Sequence, residues 1–181
     1  MPSHSTAIQS QEWIIASFYE LLKKKSYSKI TVSDIAAHAL LDRRTFYRHF
    51  RTKEDVLKRY CAKITLELGD LIKESETFNK EVLTKSFFQF WKNHIEFIDL
   101  LQRDNMMYFL LSEMDTLLSI LRSIIRPDID ESKITAETNY YLSFFIGGYY
   151  NLLLKWIETG ATSSPESMAK IITTLFPPRE S

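Results

Sequence analysis

Between residues 31 and 55 the chain carries three helix-start signals about ten residues apart, which leaves room only for two very short helices followed by a long one. The first is Thr31 with Asp34 three residues on, in a segment where Val32, Ile35, Ala36 and Ala39 recur at helical spacing. The second is Asp42, ahead of Phe46, Tyr47 and Phe50. The third is Thr52-Lys53-Glu54-Asp55, opening a periodic segment through Val56, Leu57, Tyr60, Ile64, Leu68 and Leu71. Leu40 and Leu41 are left to form the turn. A helix of about eight residues, a turn of three or four and a second short helix make a helix-turn-helix, whose second helix fits a DNA major groove. Ala36 and Ala39 are small enough for a close crossing, and Phe46 and Phe50, four apart, pin the second helix to the core.

The remaining pattern is also helical. Residues 9–25 carry Trp13, Ile14, Ala16, Phe18, Leu21 and Leu22 on one periodic face, after a polar stretch at 1–8 that reads as a disordered tail. Further helices are expected at 79–101 with a break near Asn93, then at 104–125, 133–159 and 165–176, with Pro165 at a first-turn position. Only four Gly and five Pro occur in 181 residues, too few for a turn-rich β fold. The expected fold class is all-α with about nine helices. A helix-turn-helix domain at 9–55 precedes a larger helical domain at 56–181.

Net charge is zero but unevenly spread. Residues 1–60 hold 11 Lys and Arg against 6 Asp and Glu, a surplus of five cations that the rest of the chain cancels. A basic first third points to a polyanionic partner for that part alone. With Phe46 and Phe50 turned inward, the second short helix presents Arg43, Arg44, Tyr47 and Arg48. Arginine at the start of such a helix can pair bidentately with guanine, and Tyr47 can meet thymine methyls or a phosphate. Thr31, Thr45, His49 and Lys53 lie where hydroxyl, imidazole or ammonium groups could grip phosphate oxygens.

The run I-T-V-x-x-I-A-x-x-A, then T-F-Y-R-H-F, then K-E-x-V-L resembles the DNA-binding domain of TetR-type regulators over about residues 9–60. The later run F-F-I-G-G-Y-Y-N-L-L-L-K-W-I-E-T-G, with S-P-E-S-M-A-K-I-I after it, is similar to one branch of the family's ligand domains. The resemblance implies a three-helix head, a helical effector-binding and dimerisation domain, and a homodimer that reads a double-stranded DNA operator, with repression as the usual outcome. It also implies that the helices near 133–159 and 165–176 form the dimer interface, with Leu152, Trp156 and Ile171 as candidates. An effector pocket is implied among the aromatic residues after position 86, with Trp91, Phe109, Phe145 and Tyr149 as candidate walls for a small apolar or aromatic ligand. One position departs from the family: its turn usually reads Gly-Val-Ser, and here it reads Leu40-Leu41-Asp42. Asp42 replaces the serine as a cap, whereas Leu40 would occupy a left-handed conformation at a cost of about 1 kcal/mol.

Other functions find little support. No serine, cysteine or carboxylate pair is placed for catalysis, no Gly-rich phosphate loop exists, and His4, His38 and His94 lack partners at metal-ligand spacing. No enzyme activity, cofactor or metal is expected, and Asp34, Glu54 and Asp55 read as capping residues. Gly147-Gly148 in mid-helix signals a close helix approach or pocket space. A single cysteine, Cys61, and the lack of a signal peptide or membrane span fit a cytoplasmic protein. The alternative is a helical adaptor acting through protein contacts with a weakened DNA head.

Overall fold

The computed structural model describes residues 4–74, 79–113, 116–117, 119–120 and 135–175, with side chains from residue 7 onward. Among these residues there is no strand. The helices are α1 (His4–Lys24), α2 (Val32–His38), α3 (Arg43–His49), α4 (Lys53–Lys73), α5 (Lys80–Asn93), α6 (Ile95–Arg103), α7 (Tyr108–Leu111), α8 (Ala136–Glu158) and α9 (Pro165–Leu175), with a 3-10 turn at Tyr27–Lys29.

The sequence signals place these elements. Thr31 Oγ1 accepts from the Asp34 amide while the Asp34 carboxylate accepts from the Thr31 amide, a reciprocal capping box that starts α2. Asp42 Oδ1 accepts from the Thr45 amide at 2.6 Å and starts α3. Thr52 Oγ1 accepts from the Asp55 amide, and Asp55 accepts in return from the amides of Arg51 and Thr52 at the head of α4. The break expected near Asn93 falls at His94, between α5 and α6.

Two expectations at the N-terminus change. The stretch given to a disordered tail is helical from His4, since no Gly or Pro interrupts the chain between His4 and Lys24. Trp13, placed by periodicity on the buried face of α1, is 48% exposed; Ile14, Phe18 and Leu22 form that face instead. The helix expected at 104–125 is interrupted too. Asn105 adopts φ +57°, its amide and that of Met106 bond back to Gln102 and Leu101, and α7 begins only at Tyr108. Residues 114, 115, 118 and 121–134, including the stop expected at Arg126-Pro127-Asp128, lie outside the described residues.

The chain divides into two compact units, and the division is not linear. The first comprises Met1–Lys63 and Glu96–Leu110; the second comprises Ile64–Ile95 and Leu111–Ser181. Side-chain contacts explain why 96–110 joins the first unit rather than following a cut at 55/56. Phe97 meets the Tyr60 ring edge-on at 4.7 Å, Tyr60 stacks on Tyr19 at 5.1 Å, and Glu96 pairs with Lys23. Arg103 donates to the Leu22 and Lys25 carbonyls, and Asp104 accepts from the Tyr27 amide. The core of this unit is Ile14, Phe18, Leu22, Ile35, Phe46, Val56, Leu57 and Ile98, all fully buried. In the second unit Phe88, Thr84, Leu142, Leu153, Trp156, Ala169 and Ile172 are buried where α5, α8 and α9 supply the core. Helix α4 runs through the boundary without a break, burying Val56 and Leu57 in the first unit and Leu68 and Ile72 in the second.

Candidate nucleic-acid interface and ligand cavity

Helix α2 ends in a Schellman turn. The Leu41 amide bonds to the Ala36 carbonyl and the Leu40 amide to the Ala37 carbonyl, while Leu40 takes φ +56°. Leu40 therefore sits in the left-handed conformation expected from the missing glycine, with its side chain 92% exposed. The turn delivers the chain to Asp42, which holds the first turn of α3. Hydrogen bonds from Thr45, backbone and side chain, keep the Asp42 carboxyl below its ordinary range. Only seven residues long, α3 is too short to persist alone and stands because Phe46 and Phe50 are buried.

The outward face of α3 is cationic. Arg43, Arg44, Tyr47 and Arg48 are all exposed, and none of the three arginines forms an ion pair among the described residues. Arg43 lies over the Tyr47 ring at 5.9 Å, and Arg48 donates to Thr45 Oγ1 at 3.1 Å, so two of them are oriented without being neutralised. By contrast Lys23 and Lys25, only a short way back in the chain, each hold a carboxylate. His49 is half-buried, and burial followed by the Arg48 charge pushes its pKa down, which keeps the imidazole neutral at pH 7.

The remaining candidates for phosphate contact have structural duties. Thr31 is exposed, but its hydroxyl is occupied by the α2 capping box. Thr45 is buried, and its hydroxyl accepts from Arg48. The Lys53 ammonium donates to the carbonyls of Tyr27 at 2.8 Å and Ile30 at 2.9 Å and lies over the Tyr27 ring at 4.2 Å. It fastens the start of α4 to the loop before α2, a role its sequence position in a first helical turn does not reveal.

The second unit holds a cavity of about 250 Å³ lined by Leu68 and Ile72 of α4, Leu83 and Phe87 of α5, Leu117, and Tyr141, Phe145 and Tyr149 of α8, with Asn79 and Lys80 at its wall. Of the four aromatic candidates, Phe145 and Tyr149 line it. Trp91 is buried in α5 and does not line it, and Phe109 belongs to the first unit. Phe87 and Tyr141 were missed; each lies at helical spacing from a lining neighbour, the only signal that could have found them.

The candidates for a partner surface separate in the same way. Trp156 is 2% exposed, its indole N–H donates to the Ser163 carbonyl and its ring meets Phe88 at 5.4 Å, so it is core. Leu152 is half-buried and Ile171 is 46% exposed. The open stripe of α8 is Tyr140, Tyr141 and Phe144, continued by Gly148, and Leu175 accompanies Ile171 on α9. Among the described residues a Cβ on Gly147 or Gly148 would meet nothing within 4 Å, so neither glycine serves a close approach to them. No group of three or more His, Cys, Asp or Glu among the described residues could hold a metal ion, and no helix among them is long and apolar enough to cross a membrane.

Residues 14–60 match the family model described as bacterial regulatory proteins of the tetR family, and residues 79–177 match that of a transcriptional regulator C-terminal region. Among solved structures the chain is similar to a TetR transcriptional regulator from Streptococcus agalactiae 2603V, at 24% identity and a TM-score of 0.67 over 94% of this chain and 95% of that one. It is also similar to the dihydroxyacetone kinase operon activator DhaS, at 21% identity and a TM-score of 0.61 over 93% and 94% of the two chains. A third is the fatty acid degradation regulator FadR from Bacillus halodurans, at 17% identity and 0.59 over 95% and 97%. No curated protein sequence matches the chain. With a helix-turn-helix head, an all-helical remainder and a regulator model matching more than half its length, the chain belongs to the TetR family of bacterial regulatory proteins and is a DNA-binding transcriptional regulator.

Proposed function

We propose that the protein is a homodimeric repressor whose affinity for a palindromic operator is set by a small ligand in the second unit. The observation that carries the reading is the set of exposed, unpaired arginines on α3. A last-turn cation such as Arg48 gives a short helix only a small gain, and Arg43 and Arg44 at its start give none, whereas a polyanion would neutralise all three and release counterions. Arg43 and Arg44, at the helix start, read base edges; Arg48 and His49 hold phosphates. Two heads would meet half-sites roughly 34–36 Å apart. The open aromatic stripe of α8, with Ile171 and Leu175 of α9, is the surface a second copy would cover, and Gly148 would let the partner's helix come close.

Helix α4 supplies the coupling. It lends Val56 and Leu57 to the head's core and Leu68 and Ile72 to the cavity wall. A ligand that favours one position of that helix shifts the population of heads spaced for DNA. Repression is taken from the family resemblance. The test is selection of DNA fragments from a random pool by the pure protein, followed by mobility shifts on the enriched site at graded salt. A symmetric site bound by two chains, with affinity falling steeply as salt rises, is expected. A monomer at micromolar concentration in light scattering, with no site enriched, would overturn the reading and favour the adaptor.

A further inference from the structure

Of the polar side chains at the cavity wall, Asn79, Lys80, Tyr141 and Tyr149, the last has a hydroxyl whose chemistry is fixed by counting protons. Thr84, fully buried, donates its hydroxyl to the Lys80 carbonyl at 2.7 Å, an acceptor that can only accept. Thr84 Oγ1 is also bonded to the Tyr149 hydroxyl. The threonine has a single proton, already spent on the carbonyl, so the tyrosine must be the donor in the second bond. Its phenol therefore has no proton left to offer, and its oxygen retains only lone pairs. Burial raises the Tyr149 pKa, so the phenol stays protonated and the relay persists at neutral pH. Tyr149 lines the cavity among aromatic neighbours, with Phe87 edge-on to it at 5.1 Å and Phe145 against Tyr141 at 4.6 Å.

Resting on the reading of this cavity as the effector site, we infer that it takes a small, neutral, single-ring molecule carrying one hydroxyl, whose proton the Tyr149 oxygen accepts. Size supports a single ring: an apolar cavity of about 150 Å³ accommodates benzene, and 250 Å³ leaves room for one short substituent. A carboxylate is disfavoured because it would set lone pairs against the lone pairs of Tyr149. An ether is disfavoured for the same reason. The acceptor is also a means of discrimination, because a site built around one hydrogen bond rejects analogues unable to form it.

The experiment is calorimetric titration of the full chain with 4-propylphenol, 4-propylanisole, propylbenzene and 4-propylbenzoate, repeated on Tyr149→Phe and Thr84→Val. In the wild type the phenol should bind roughly tenfold more tightly than the anisole. Tyr149→Phe should bring that ratio near one while leaving propylbenzene unchanged. Thr84→Val should free the tyrosine proton and raise affinity for the anisole, a gain that loss of structure could not produce. Phenol and anisole binding alike in the wild type, with propylbenzene still bound, would overturn the hydrogen-bond assignment and leave the cavity as a ligand site. Preference for the benzoate would overturn it in favour of recognition by Lys80 and Asn79. Saturable binding of none of the four would overturn the cavity reading and this inference with it.

Discussion

The exposed face of α3 is built from guanidinium groups and that of α8 from aromatic rings, although each helix buries an opposite face in the ordinary way. The difference lies in what each surface costs in water. Arginines remain fully hydrated while unpaired, so α3 can wait for a polyanion at little expense. Tyr140, Tyr141 and Phe144 are 76%, 60% and 65% exposed, and every square ångström of apolar surface left in water forgoes about 25 cal/mol. The two faces thus ask for partners of opposite character. One asks for a partner whose interface stays wet while its counterions are released, the other for one that expels water.

The largest expected effect falls on the aromatic side. Phe144→Glu would place an unpaired carboxylate inside the proposed dimer surface, at a cost of roughly 3–5 kcal/mol. Sedimentation should show a monomer or aggregate, and operator binding should be lost although α3 is untouched. A dimer of unchanged affinity would show that the α8 stripe is not the shared surface. The cationic side predicts a smaller, sequence-dependent loss. Arg44→Ala should cost about 1–3 kcal/mol on the selected site and relax preference at one base position. Equal losses on selected and random DNA would reduce α3 to a phosphate-holding face.

Two residues of the first unit sharpen the contrast, because they are charged yet serve the fold. Lys53→Met would remove the ammonium that the Tyr27 and Ile30 carbonyls share and should lower thermal stability by about 1–3 kcal/mol. The salt slope of DNA binding should barely change; a drop of about one unit would instead assign Lys53 to a phosphate. Asp34 makes the pH case. The Lys25 ammonium, then the Thr31 hydroxyl and amide, hold its carboxyl at about 2, below its ordinary 3.8. The stabilisation is complete above the ordinary value and disappears as pH falls toward 2. Melting temperatures of wild type and Asp34→Asn should therefore differ at pH 6 and converge near pH 2; a constant gap would mean the charge is irrelevant.

The smallest effect concerns the turn. Leu40→Gly should remove left-handed strain worth about 1–2 kcal/mol and lose part of that gain to chain entropy, leaving net stabilisation of about 0.5 kcal/mol. A rise of a few degrees or less in melting temperature is the readout, and a fall would show that the Leu40 side chain makes a contact that outweighs its backbone strain.

Local grammar was legible in the sequence and long-range company was not. Thr31, Asp42 and Thr52 cap helices because each acts on amides within three residues, so spacing alone reveals them. The αL turn at Leu40 was legible through the resemblance, because it replaces the turn glycine usual in the family. Trp13 and Trp156 exchange the surface and core positions expected of them, because periodicity assigns a face and only tertiary neighbours decide what covers it. Lys53 and the return of residues 96–110 to the first unit depend on partners more than twenty residues away. The cavity was half legible, since aromatic residues at helical spacing mark a wall without saying on which side of it the space lies.

The broken course of the first unit bears on how such a regulator can be recombined. A reading head that ended at residue 55 could be cut out and grafted onto another sensor as a cassette. Here Phe97, Ile98, Arg103 and Asp104 complete the head from a point beyond the whole of α5. A chimera joined at 55 would leave Tyr19 without the rings of Tyr60 and Phe97 and the Tyr27 amide without its acceptor. On the proposed reading of α3, operator specificity is therefore easier to exchange by replacing its exposed side chains than by shuffling domains. A sensor transplanted onto this head must bring with it, or recreate, the segment from 96 to 110.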